Sequence, residues 1–213
     1  MKKYFIKTPW WLKKIYPSRL WRVDTKDKII YLTFDDGPHP EATLFVLDEL
    51  KKYNAKATFF CIGKNVAAYP GIYGRILNEK HATGNHTYNH LNGWKTVTKE
   101  YLDDVAEAAC YIDSSLFRPP YGRIRSVQAK EIGTAIKGNK PQIIMWDVLS
   151  ADFDNSISPE QCLQNVVSTA GRGSIIVFHD SEKAFPRLKF ALPGTLKYFS
   201  EKGFRFEKLP VVN

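Results

Sequence analysis

"YLTFDDGPHP", residues 31–40, is the stretch on which the reading of this chain turns. A run of β-branched and aromatic residues ends in two adjacent carboxylates, Asp35 and Asp36, and then in Gly37-Pro38. The run reads as a strand and the Gly-Pro pair as its stop. The two acids have an ordinary explanation, because Asp-Gly is a common turn dipeptide and Asp hydrogen-bonds its own backbone. They also have a chemical one. Adjacent residues leaving a strand point to different sides, so one carboxylate can sit on a metal while the other takes up a proton.

Outward from this stretch, short β-rich runs alternate with helical periods. Strand patterns fall at 28–34, 57–62, 82–85, 116–118, 142–148, 174–179 and 204–208. Tyr101, Val105, Ala108 and Ile112 keep helical spacing, as do Cys162, Val166 and Ala170 with Leu163 and Val167 after a Ser158-Pro159 start. Val66, Tyr69, Ile72, Tyr73, Ile76 and Leu77 make a third such face, which Pro70 and Gly71 should break. Residues 133–141 read as a loop. Runs that are apolar throughout, such as IIMW and SIIVF, suit strands covered on both faces. About seven strand-helix units predict an α/β fold, a TIM-like barrel or near-barrel, in a single domain.

Of the formal net charge of +9, residues 1–28 carry +7: nine Lys and Arg against Asp24 and Asp27. The remainder has no basic stripe of the kind that binds nucleic acid. Residues 1–27 therefore read as a basic, aromatic N-terminal segment ahead of a domain at 28–213. Within it, Thr8 and Pro9 are a plausible cap and first turn for a short helix that Pro17 would stop. Trp11, Leu12, Ile15 and Tyr16 would share one face, with Lys13 and Lys14 leaving it. That face either packs on the domain or makes a peripheral membrane contact through residues 1–22. Neither a secretory signal nor a membrane span is visible, and Cys61, Cys110 and Cys162 form no CxxC pair. They read as buried or half-buried thiols in a reducing compartment, so the expected location is cytoplasmic or at the inner membrane face. The oligomeric state is not legible.

The chemistry-bearing residues cluster at predicted strand ends, where barrel enzymes assemble their sites. Asp35 and Asp36 follow the first strand, and "GNHTYNH", with His86 and His90, follows the third. "RPPYG" at 118–122 follows the fourth, "WDVLSADFD" at 146–154 the fifth, and "VFHD" at 177–180 ends the sixth. Two histidines four residues apart can present two imidazoles to one cation, and a carboxylate completes an open site of three protein ligands. Such a site leaves a position for water, whose pKa a bound zinc can lower to about 7. The second carboxylate is then a candidate base, and His179 a candidate proton donor to a leaving group. Arg118 and Asp152 are the charges that would hold Asp35 and His179 in place. Each residue has a plainer reading as a salt bridge, a turn or a buried histidine; their joint placement carries the functional one.

Taken together and in this order, the five blocks resemble the polysaccharide deacetylase family, the NodB homology domain of carbohydrate esterase family four, over roughly residues 28–208. The resemblance implies a distorted (β/α)7 barrel and metal-dependent removal of acetyl from an N-acetylated or O-acetylated sugar. It implies that Asp35 is the base and that Asp36, His86 and His90 hold the metal, zinc first, with cobalt, nickel or manganese as substitutes. It further implies that Arg118 orients Asp35, that the Tyr121 N–H helps bind the oxyanion, and that His179 is the acid, oriented by Asp152. Two positions depart from the family pattern. Phe153 stands where members usually have Trp, and Val177 where they have Leu; with Tyr121, these are the expected substrate contacts. Leu149 also stands where members often carry an additional Asp. The expected substrate is an N-acetylglucosamine-type glycan that loses acetate. The alternatives are an O-acetyl sugar esterase and a carbohydrate-binding homologue without turnover.

Overall fold

The computed structural model describes residues 4–136 and 141–210. Its centre is β1 (Ile29–Asp35), in which all seven residues are buried. A buried stretch of this kind is stable only between neighbours on both edges and cover on both faces. β1 has both, pairing in parallel with β2 (Ala57–Cys61) and with β7 (Ile175–His179). The parallel sheet continues through β3 (Ala82–Asn85), β4 (Leu116–Phe117) and β5 (Gln142–Ile143) on one side and β6 (Val148–Leu149) on the other. The order is β5-β4-β3-β2-β1-β7-β6, with β8 (Arg205–Phe206) paired to the start of β1. The helices that cover this curled sheet are α2 (Ala42–Lys52), α3 (Gly63–Ala68), α4 (Pro70–Asn78), α5 (Thr98–Ala109), α6 (Ser126–Ala135), α7 (Pro159–Val167) and α8 (Phe185–Glu201). Phe34 stacks between Phe59 and Phe178 from the two neighbouring strands, at centroid distances of 5.1 and 6.1 Å, at the middle of the largest apolar cluster.

Register places the strand ends at one level. Asp35 is the parallel partner of both Phe60 and His179. Cys61 is level with Asn85, and Asn85 with Phe117, so His86 and Arg118 each leave their strand one residue later. The left-handed region is costly for a residue with a Cβ, and occupied positions concentrate at functional sites. Among the described residues seven non-glycines have positive φ, and five of them, Asp36, Thr87, His90, Tyr121 and Ala151, follow these strand ends. The backbone turns sharply at each exit, and the side chains are aimed across the mouth of the sheet instead of along it.

The N-terminal segment joins the two outermost strands. Leu20 pairs with Ile144 just beyond β5, accepting from the Met145 N–H at 2.7 Å and donating to the Ile143 carbonyl at 2.9 Å. Lys7 pairs antiparallel with Val148 of β6; the Leu149 N–H reaches the Ile6 carbonyl at 2.8 Å, and the Thr8 N–H the Asp147 carbonyl at 2.9 Å. Unpaired strand edges invite non-native pairing, and the segment covers both. Its charge is used locally, since the fully buried Asp147 carboxylate is met by Lys7, Lys13 and the Ser174 hydroxyl.

Several expectations need correction. The helix, α1 (Trp10–Ile15), begins after Pro9 and has no side-chain cap; the Thr8 hydroxyl instead donates to the Trp146 carbonyl at 2.7 Å. Its inward face is Leu12, Lys13 and Tyr16, because Asp147 draws Lys13 inward. Trp10, Trp11 and Ile15 are 69, 45 and 58% exposed. The expected strand at 142–148 divides into β5 and β6, on opposite ends of the sheet, with Leu20 serving the interval. The expected loop at 133–141 is helical through Ala135, and its residues 137–140 lie outside the described residues, as do 211–213 of the expected domain. Cys110 is exposed, not buried. Three of the periodic readings correspond to helices: α5, α7, where the Ser158 hydroxyl accepts the Gln161 N–H, and the pair α3 and α4, which breaks at Tyr69. No helix among the described residues is long and apolar enough to cross a membrane.

Candidate active site

The strand ends open on a cleft of about 1020 Å3 whose floor includes Asp35, Asp36, His86, His90 and His179. Asp35 is held by Arg118, whose guanidinium donates to Asp35 Oδ1 at 2.6 Å and to the Thr33 hydroxyl at 2.8 Å. Two further Arg118 donors reach the carbonyls of Ile144, at 3.3 Å, and Met145, at 3.0 Å, and its plane lies 4.1 Å from the Phe60 ring centroid. A fully buried guanidinium is tolerated only when its donors are met, and these partners take four of its five N–H groups.

Asp36 turns away from Asp35 with φ 85°, and the Asn65 side chain fixes that turn by donating to the Asp36 carbonyl at 2.7 Å. Gly37 must be glycine, since a Cβ there would lie 2.0 Å from the Asp180 carboxylate that accepts the Gly37 N–H. Burial, with Asp36 nearby, raises the Asp180 pKa to about 8, against the hydrogen bonds from Thr43 and Gly37. Asp36, His86 and His90 each bring one ligand atom to within 4.8 Å of the others. His90 Nε2 lies 3.2 Å and His86 Nε2 3.8 Å from Asp36 Oδ1.

These residues fit a cation on the chemistry of their donors. The His86 Nδ1 meets the Arg118 carbonyl at 2.7 Å, so Nδ1 carries the proton and the Nε2 lone pair faces Asp36. Burial lowers the His86 pKa to about 4, which keeps that ring neutral. Burial would raise the Asp36 pKa, but the neighbouring imidazoles, His90 first, bring it well below the usual carboxylate range. The buried Asp36 Oδ1 has no hydrogen bond of good geometry. A carboxylate oxygen facing a neutral imidazole lone pair without a proton between them is stabilised by a metal ion.

The loop carrying the two histidines is pinned from α5. The buried Asp104 carboxylate accepts the Tyr88 N–H at 2.9 Å, the Asn89 N–H at 3.0 Å and the Asn89 amide at 2.7 Å. Opposite, Asp152 accepts both the His179 N–H and, from Nδ1, the ring proton, each at 2.7 Å. Burial would lower the His179 pKa, yet Asp152 raises it to about 10, so the imidazole is cationic at neutral pH. Phe153 stands edge-on to His179 at 5.3 Å, and the Tyr121 ring lies 4.6 Å from that of His90. Leu149 and Val177, partners across β6 and β7, complete an apolar wall beside His179.

All ten residues singled out from the sequence thus border or support one cleft. Asn65, Asp104, Asp180 and Tyr4 went unnoticed. Asp180 could have been found as the acid that follows His179 out of a buried strand; Asn65, Asp104 and Tyr4 carry no local signal.

Known proteins resemble this chain over most of its length. The family model described as polysaccharide deacetylase matches residues 22–135. A peptidoglycan-N-acetylglucosamine deacetylase of Bacillus cereus is 34% identical over 191 residues, covering 87% of this chain and 88% of the relative. A peptidoglycan-N-acetylmuramic acid deacetylase of Bacillus subtilis is 35% identical over 164 residues, or 74% of this chain, which spans 33% of that longer protein. A solved peptidoglycan N-acetylglucosamine deacetylase, in complex with 4-naphthalen-1-yl-N-oxidanyl-benzamide, superposes with a TM-score of 0.85 at 32% identity, covering 95% of both chains. This chain belongs to the polysaccharide deacetylase family. It is a hydrolase with the distorted (β/α)7 barrel of its structural neighbours.

Proposed function

We propose that this protein removes the acetyl group from an N-acetylglucosamine-type residue of a glycan, releasing acetate and leaving an amine. The observation that carries this reading is the meeting in one cleft of three groups: the Asp36-His86-His90 donors, the Asp35-Arg118 pair and the His179-Asp152 pair. A divalent cation held by Asp36, His86 and His90, zinc first, would polarise the acetamide carbonyl and acidify a water. Asp35, kept in position by Arg118, accepts the proton of the attacking water. The Tyr121 N–H stabilises the charge that develops on the carbonyl oxygen. His179 donates a proton to the departing nitrogen, which an amide requires because an unprotonated amine anion leaves poorly. The raised His179 pKa favours an amide over an ester, since an alkoxide leaves with less help.

The test is an acetate-release screen over chitooligosaccharides, peptidoglycan fragments and acetylated xylan, with and without added metal. Release from the N-acetylated glycans supports the reading; release from xylan alone reassigns the enzyme to O-acetyl esters. Binding without release from any of the three would make it a non-catalytic homologue.

We also propose a partner surface. Phe5, Trp10, Trp11 and Ile15 are exposed together with Lys14, which sits 5.0 Å over the Trp10 ring. Aromatic and Lys side chains on one face suit the interface of an anionic bilayer. Flotation with phosphatidylglycerol vesicles that is lost in Trp10→Ala/Trp11→Ala supports this; equal flotation of both proteins rejects it.

A further inference from the structure

One part of the cleft wall comes from far outside the strand ends. Tyr4, on the N-terminal segment, lines the cleft, and its hydroxyl donates to the Asp154 carboxylate. Its ring stands edge-on to Phe153 at 5.5 Å, and Phe153 stands edge-on to His179 at 5.3 Å. The backbone behind Tyr4 is fixed two to four residues later by the pairing of Ile6, Lys7 and Thr8 with residues 147–149. Tyr4 is therefore anchored at both ends, by its hydroxyl and by its chain. The wall it backs is apolar where it meets His179, through Leu149, Phe153 and Val177. Such a wall offers nothing to sugar hydroxyls and suits the hydrocarbon end of an acyl group.

We propose that Tyr4 is a specificity-determining residue: by backing Phe153 against His179 it sets the width of the acyl end of the cleft and restricts it to acetyl. This rests on the deacetylase reading above. An apolar pocket discriminates one methylene by roughly 10–200-fold. Removing the Tyr4 ring lets Phe153 relax away from His179 and admits the longer chain.

The experiment compares N-acetyl and N-propionyl chitooligosaccharides as substrates, by kcat/KM, and as ligands, by calorimetry, using zinc-loaded full-length protein. Tyr4→Ala is expected to reduce the preference for acetyl at least about 10-fold, and Tyr4→Phe, which keeps the ring, to reduce it less. Tyr4→Leu serves in place of Tyr4→Ala where the smaller residue lowers Tm. An unchanged acetyl-to-propionyl ratio in a variant with wild-type Tm overturns the proposal. A wild-type protein that binds these glycans without releasing acetate would sink the deacetylase reading, while the binding ratio would still decide the role of Tyr4.

Discussion

Arg118 Nη1 lies 2.6 Å from Asp35 Oδ1, with the guanidinium fully buried and the carboxylate 5% exposed. Burying two charges is favourable only while each has the other, and removing one partner typically costs about 3–5 kcal/mol. Arg118→Met is expected to lose stability of that order in urea unfolding. Asp35→Asn keeps the shape and can still accept from Arg118 but leaves the buried guanidinium without its counter-charge, so it too should lose stability, and it should lose about 10²–10⁴-fold in kcat. Equal activity in Asp35→Asn and wild type would remove Asp35 from the mechanism.

Metal retention should depend on the converging donors. Asp36→Ala and His86→Ala are expected to lose bound zinc after desalting, read by elemental analysis, and chelation of the wild type should abolish acetate release. Wild-type zinc content in both variants would rule out this ligand set.

Asp104 lies outside the cleft lining, yet it holds the backbone of Tyr88 and Asn89 between His86 and His90. Residues that orient ligands in this way typically contribute about 10–100-fold to metal affinity. Asp104→Ala is therefore expected to weaken zinc binding by about that factor, measured by competition with a chromogenic chelator. The Tyr88 and Asn89 N–H groups lose their acceptor in that variant. An affinity equal to wild type would show that the loop holds itself.

The His179-Asp152 pair predicts a pH dependence. The folded pKa, at about 10, lies above the ordinary 6.5, so the cationic imidazole stabilises the fold fully below pH 6.5. That contribution declines as pH rises through about 10. Asp152→Asn should move the His179 titration down, followed by imidazole proton chemical shifts, and should flatten the stability profile over the same window. N-deacetylation is expected to fall on the alkaline side as His179 loses its proton, and that limb should move to lower pH in Asp152→Asn. A His179 titration that does not respond to Asp152→Asn would contradict the pairing.

Much of the site was legible before the fold. Asp35, Asp36, His86, His90, Arg118, Asp152 and His179 each follow a run with strand character, and parallel strands of similar length end at one level. Position in the sequence was therefore a proxy for position in space. The 142–148 run defeated the same logic. Its pattern is that of a buried strand, and local pattern cannot tell one buried strand from two short ones that part to admit Leu20. α8 was hidden too, because Pro186 and Pro193 interrupt its pattern; the former sits in the first turn and the latter is carried inside the helix by packing.

The N-terminal segment shows most clearly what each level contributes. Its basic charge, its aromatic content and its short helix are written in the sequence, because composition and periodicity are local properties. That Lys13 points inward to Asp147, that Trp10 and Trp11 face out, and that Tyr4 backs Phe153 were decided only by the tertiary structure. The physical reason is long-range pairing. A curled sheet with two open edges and a buried carboxylate recruits whatever chain can supply backbone hydrogen bonds and cations, here from more than a hundred residues away. The adjacent Asp35 and Asp36 follow the same division: their chemistry is local, and which of them meets Arg118 and which the histidines depends on neighbours that only folding brings within reach.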